Sequence, residues 1–119
     1  MIHVYLDDFR YCPEGFVLAK NAEECKLLID HEQIDILSLD YDLGWNEPTG
    51  YEVVKHLMKT GKYPRCIYLH TSSMYGKQQM YEALRQQVPA SYELYARPMT
   101  KEELEEALKR KQVKEEQNE

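Results

Sequence analysis

Ile36-Leu37-Ser38-Leu39-Asp40-Tyr41-Asp42-Leu43-Gly44 decides how the chain is read. A short run of apolar and small residues passes into two acids and a glycine. Such a run, bounded by a turn signal, reads as a strand buried in a parallel sheet. Open α/β sheets receive their ligands at the carboxyl ends of their strands. Residues two apart point to the same side while a strand lasts, so Asp40 and Asp42 can serve one site. The same letters also suit a plain strand-end turn, because Asp and Gly are turn formers.

Working outward, residues 2–6 form a second strand that also ends in paired acids, Asp7 and Asp8. Pro13 and Gly15 mark an irregular loop, and residues 16–19 form a short apolar strand. Asn21 caps a helix and Glu24 completes its capping box, with Ala22, Cys25, Leu28 and Ile29 on the core face. Thr49 and Glu52 make a second box, opening a helix over 50–60 that Gly61 terminates. Residues 66–69 are a strand running into His70-Thr71-Ser72-Ser73, and 76–87 are helical. The last strand, 92–96, closes on Arg97-Pro98. Thr100 and Glu103 then cap a final helix with Leu104, Ala107 and Leu108 inward.

Strands alternating with helices predict an α/β fold: one three-layer domain with a parallel five-stranded sheet. The domain spans 1–108, and 109–119 is a charged helix extension or disordered tail. A chain of 119 residues suits a single core. Net charge −6 and a pI near 5.3 give no reason to expect duplex DNA or an anionic membrane as partner. Cys12, Cys25 and Cys66 are scattered without metal spacing, as expected of reduced thiols in the cytoplasm. The first apolar run is too short for a signal peptide or a membrane span.

Because every crossover brings strand ends to one edge, Asp7, Asp8, Asp40, Asp42, His70, Thr71 and Arg97 converge there. Carboxylates at close range repel, and a hard divalent cation relieves this. Mg²⁺ takes one or two carboxylates, waters and a phosphate oxygen, and Mn²⁺ shares its oxygen ligands. Asp7, Asp8, Asp40 and Asp42 are the candidate metal ligands, with Asp40 also a candidate nucleophile. Arg97 suits phosphate through paired hydrogen bonds, with Thr71 or Ser72 donating to another oxygen. His70 suits proton transfer near neutral pH. The plainer alternatives are a hydrogen-bonded strand-end histidine for His70 and an Arg97–Asp40 ion pair. His3, His31 and His56 fall away from this edge and read as structural or surface residues.

The acidic pair Asp7-Asp8, the strand-end Asp40, the Thr49-Gly50 helix start and Tyr95-Ala96-Arg97-Pro98-Met99 together resemble the receiver domain of bacterial response regulators. That resemblance implies Mg²⁺ at the acids, phosphate acceptance by Asp40 and a cis Arg97-Pro98 bond. It has departures. Arg97 stands at a lysine position, His70 at a Thr/Ser position, and Asp42 adds a carboxylate. The first helix is missing, leaving a loop that either spans to a parallel second strand or makes an antiparallel hairpin. The face so exposed is covered by the last helix or by a second copy in a homodimer.

These departures are similar to the cyclic-phosphate processing receiver domains. The matching residues are Leu6-Asp7-Asp8-Phe9-Arg10, Pro13-Glu14-Gly15, Leu39-Asp40-Tyr41-Asp42-Leu43-Gly44 and His70-Thr71. The resemblance implies hydrolysis of cyclic phosphates on nucleotide-like substrates, a phosphorylated small molecule or nucleotide end. Asp40, His70 and Arg97 would be catalytic, and Arg10 a second phosphate clamp or a surface arginine pairing with an acid. The alternatives are a stand-alone receiver phosphorylated on Asp40 that signals through protein partners, or a degenerate receiver used only for interaction. Haloacid-dehalogenase-type phosphatases share an Asp-x-Asp but carry the acidic motifs in the reverse order.

Overall fold

The structure, a computed structural model, describes residues 1–117, with side-chain surroundings to residue 111. Five strands are β1 (Ile2–Leu6), β2 (Phe16–Ala19), β3 (Ile34–Leu39), β4 (Cys66–Leu69) and β5 (Glu93–Tyr95). Four helices are α1 (Ala22–His31), α2 (Gly50–Thr60), α3 (Met74–Arg85) and α4 (Lys101–Gln117). All strand pairs are parallel, in the order β2-β1-β3-β4-β5. The strand order reverses beside β1, so a crevice opens beyond the ends of β1 and β3.

The expected helix starts rest on the predicted caps. Asn21 accepts from the Glu24 amide at 2.9 Å, and Glu24 reaches back to the amide of Lys20. Thr49 caps through the Tyr51 amide, and Gly61 ends α2 at φ 72°, where a side chain is disfavoured. The Thr100–Glu103 box is reciprocal. Helix α3 starts two residues earlier than expected because Ser73 caps it through the amide of Gly76 at 3.0 Å. Charged 109–117 continues α4, and residues 118–119 of the expected tail lie outside the described residues.

One sheet face is apolar. Val4, Leu6, Leu37, Leu39, Ile67 and Leu69 pack with Cys25, Ile29, Val53, Val54, Leu57, Met80 and Leu84 of α1–α3. The other face carries α4 alone, where Ala107 packs with Ile36, Cys66 and Tyr68. No helix joins β1 to β2. Residues 7–15 cross as a loop, and β2 pairs with β1 in parallel, so the hairpin alternative is excluded.

Polar contacts fix α4 on the face that lacks its companion helix. His3 Nε2 donates to the Ala107 carbonyl at 3.1 Å, and Tyr68 donates to Glu103 at 2.8 Å. Buried Asp35 accepts from Arg65 at 2.8 Å and from Arg110 of α4 at 2.9 Å. Lys111 donates to the Gly15 carbonyl at 3.3 Å. Gly15 turns at φ 87°, where a Cβ would stand 2.9 Å from Leu108. The crossing loop thus lies against α4.

Candidate functional site

The hydrogen-bond ladder runs one residue past each central strand. Asp7 donates to Ala19, Asp40 to Leu6 and His70 to Leu39, at 3.0–3.1 Å. The pleat therefore still governs which way these side chains point. Asp7 is in phase with His3 and Tyr5, Asp40 with Ile36 and Ser38, and His70 with Cys66 and Tyr68. This phase is the α4 face, the face on which the first helix is missing.

Asp7, Asp40 and His70 are all buried, and one ligand atom from each lies within 4.8 Å of the others. Asp7 Oδ1 accepts from the amides of Phe9 and Arg10 at 2.8 and 2.9 Å. Its Oδ2 accepts from Arg10 Nη1 at 2.9 Å and meets His70 Nε2 at 2.9 Å. The same Arg10 Nη1 donates to Asp40 Oδ2 at 3.1 Å, and Asp40 Oδ1 accepts from the Tyr41 amide at 2.8 Å. One guanidinium nitrogen therefore bridges the two carboxylates.

His70 is held on three sides. Nδ1 meets Ser38 Oγ at 2.7 Å, Nε2 meets Asp7, and the ring stacks on Tyr5 at 4.3 Å and 5°. Burial lowers its pKa, and the Asp7 carboxylate opposes this only in part. The balance favours the neutral imidazole. Burial also works to raise the Asp7 pKa, but the amides of Arg10 and Phe9, the Arg10 guanidinium and His70 outweigh it and hold Asp7 at about 2. Ionised Asp7 facing neutral His70 requires the proton on Nε2, with Ser38 donating to Nδ1. A hydroxyl can also accept, so Ser38 supports either tautomer.

The other sequence candidates lie elsewhere around this centre. Asp8 and Asp42 are exposed, with Asp8 Oδ2 3.5 Å from where a Cβ of Gly44 would stand. Thr71 is buried and accepts from the Ser73 amide at 3.1 Å, while Ser72 is exposed. Arg97 pairs with Glu103 at 2.7 and 3.1 Å, not with Asp40, and lies over the Tyr95 ring at 4.6 Å. The Arg97-Pro98 bond is trans, correcting the expected cis bond. Trans is the intrinsically favoured isomer, and Arg97 is engaged by α4 (Lys101–Gln117) instead of the acids. Arg10, not Arg97, pairs with Asp40. Tyr5 and Ser38 were missed, although their phase with Asp7 and Asp40 was present in the sequence.

Asp7, Asp40 and His70 are placed so that they could hold a metal ion. Two buried carboxylates already stabilise one positive group, the Arg10 guanidinium, between them. Gly50 completes the floor: its amide donates to Tyr41 at 2.8 Å, and a Cβ there would stand 2.0 Å from the Asp40 carbonyl. Among the described residues no helix is long and apolar enough to cross a membrane.

A doubly wound parallel sheet with acids at the ends of β1 and β3 defines a receiver-type domain, and solved structures share this fold. The receiver domain of Francisella response regulator 1452 matches at TM-score 0.55 and 14% identity, over 98% of this chain and 97% of that one. Thermotoga maritima response regulator TrrA, solved with Mg²⁺-BeF, matches at TM-score 0.57 and 20% identity, over 93% and 99%. The response regulator domain of Thermotoga maritima CheB matches at TM-score 0.51 and 18% identity, over 94% of each chain. No curated protein matches this chain. The family described as the Cyclic-phosphate processing Receiver domain matches residues 2–86, and the chain belongs to that family.

Proposed function

We propose that the chain hydrolyses cyclic phosphate esters with a divalent cation, Mg²⁺ or Mn²⁺, held by Asp7 and Asp40. The observation that carries this reading is His70. A buried imidazole faces the carboxylates, with its far nitrogen on Ser38 and its ring stacked on Tyr5. A phosphoacceptor site needs only a hydroxyl at that place. An oriented imidazole is what proton transfer requires.

Bound at the acids, a divalent cation supplies a Lewis acid for a phosphoryl oxygen. Arg10, with its side chain 40% exposed, can turn from the carboxylates to the incoming phosphate. With a cation on Asp7, the other tautomer, Nδ1–H donating to Ser38 Oγ, would leave Nε2 free to take a proton from the attacking water. The water oxygen bonds to phosphorus, the ring P–O bond breaks, and His70 returns the proton to the departing alkoxide. One water is consumed and a phosphomonoester leaves. Asp8 and Asp42, exposed on the same edge, would be available to further ligands or waters of such a cation, and Thr71 and Ser72 remain candidate donors to phosphate.

The test is ³¹P NMR of 2′,3′-cyclic nucleotides with Mg²⁺ or Mn²⁺. Ring opening by the wild type, lost in His70→Ala and in Asp40→Asn, supports the hydrolase. Absence of turnover together with an acetyl phosphate label that Asp40→Asn abolishes would refute it in favour of the signalling receiver.

A further inference from the structure

The five most exposed large apolar side chains among the described residues are Tyr11 (99%), Trp45 (94%), Phe9 (92%), Met74 (83%) and Tyr75 (69%). All five follow β1, β3 or β4, in the loops and first helical turn around the buried acids. All five thus lie on the strand-end edge of the sheet, and two contacts tie that edge together. Asp8, next to Phe9, places Oδ2 3.5 Å from a Cβ position on Gly44, next to Trp45. Tyr41, next to Asp40, meets Tyr75 edge-on at 6.2 Å and 78°. Gly76 permits this, since a Cβ there would stand 2.1 Å from the Tyr41 ring.

We propose that this aromatic rim is a stacking platform for the base of a nucleoside cyclic phosphate, and that the substrate is a mononucleotide or short end, not a long strand. The inference rests on the cyclic-phosphate reading of the acids. Rings left in water gain most from a flat aromatic partner, and stacking tolerates any base because every base has a π-face. The charge sets the length. Asp8, Asp42 and Glu47 are exposed on the same edge and the chain carries net charge −6. A polynucleotide backbone would meet repulsion without the counterion release that drives its binding. Affinity therefore comes from stacking, and salt changes it little.

Trp45 is the only tryptophan and reports the contact directly. Stopped-flow quenching of Trp45 is followed with Mg²⁺ and either adenosine 2′,3′-cyclic phosphate or base-free ethylene phosphate. The nucleotide is expected to quench and ethylene phosphate to leave Trp45 unchanged. Tyr75→Ala is expected to raise the nucleotide Kd about ten-fold, the ordinary worth of one stacked base, and Tyr75→Phe to leave it unaltered. Both variants lie at an exposed position, and unchanged circular dichroism confirms their fold. Equal binding of the two cyclic phosphates, or no effect of Tyr75→Ala, overturns the platform and assigns the rim to a protein surface. Turnover by ³¹P NMR separates the two claims. Hydrolysis of both compounds at equal rates overturns the platform and keeps the hydrolase. Quenching by the nucleotide without turnover overturns the hydrolase and keeps the platform.

Discussion

A cation bound by Asp7 and Asp40 as proposed would compete with Arg10 for the same oxygens, and that competition would have a measurable size. A single nitrogen, Nη1, donates to Asp7 Oδ2 at 2.9 Å and to Asp40 Oδ2 at 3.1 Å. A cation approaching both carboxylates must displace these bonds or share the oxygens with a positive neighbour. Hydrogen bonds to charged groups contribute about 1.5–3 kcal/mol each when buried. Arg10 is 40% exposed and regains water when released, so the discounted net cost is about 1.4 kcal/mol. Arg10→Gln is therefore expected to bind Mg²⁺ about ten-fold more tightly than the wild type. Without metal the variant is less stable, because the two carboxylates lose their counter-charge. At Mg²⁺ concentrations above both Kd values, it recovers about 1.4 kcal/mol more than the wild type does. That is a metal-induced rise in Tm larger by about 5 °C for a domain of this size. Thermal unfolding by circular dichroism across a Mg²⁺ titration reads both effects. An Arg10→Gln protein with unchanged or weaker Mg²⁺ affinity would refute the competition and make Arg10 a partner of the bound cation.

Three further outcomes follow from the same geometry. Asp35→Ala leaves Arg65 and Arg110 without their buried acceptor. Their side chains are 39% and 37% exposed and rehydrate in part, so the loss is about 2 kcal/mol in urea denaturation, with an unchanged m value. Gly50→Ala drives a Cβ to 2.0 Å from the Asp40 carbonyl, which cannot yield without moving the site. It is expected to cost about 3 kcal/mol and to weaken Mg²⁺ binding in the thermal titration, whereas Gly61→Ala leaves Mg²⁺ binding intact. Stability is expected to fall on acidification in two stages, read by urea midpoints from pH 7 to pH 2. Burial lowers the His3 pKa, so below about 6.5 the unfolded chain binds a proton that the fold resists and stability declines. Asp7, held at about 2 against 3.8, contributes about 2 kcal/mol that is present above pH 4 and lost as pH falls toward 2. A flat profile between pH 7 and pH 5 would contradict the first stage.

The parallel sheet and the placement of Asp7, Asp40 and His70 were legible because strand ends are local signals. A buried apolar run, a following acid and a glycine lie within nine residues in 36–44. The capping boxes at Asn21 and Thr100 were legible for the same reason. The fate of the arginines was not. Whether Arg97 turns to Asp40 or to Glu103 depends on where α4 settles, and that depends on contacts as distant in sequence as His3 with Ala107. Arg10 was legible only as a motif letter, because its reach to Asp40 crosses from one strand end to another. Tyr5 and Ser38 were missed for a different reason. Reading each strand as an apolar run hid an alternation that all three central strands share: Val4 and Leu6, Leu37 and Leu39, Ile67 and Leu69 face one way. The residues between them, Tyr5, Ser38 and Tyr68, mark the other face as partly polar.

That alternation connects the missing helix to the chemistry. A face covered by two helices calls for apolar residues along every strand, whereas His3, Tyr5, Ser38 and Tyr68 here carry polar groups between the apolar ones. Each of the three whose partner is defined uses its polar group: His3 holds α4, Ser38 holds His70, and Tyr68 holds Glu103. The loop that replaces the helix supplies the Phe9 and Arg10 amides to Asp7 and carries the guanidinium that bridges the acids. The loop that stands in place of the helix thus sets the half-exposed Arg10 guanidinium beside the buried acids that face the imidazole. If the chain hydrolyses cyclic phosphates as proposed, restoring a helical linker between β1 and β2 is expected to abolish turnover while leaving the sheet intact, and undiminished turnover would separate the loop from the chemistry.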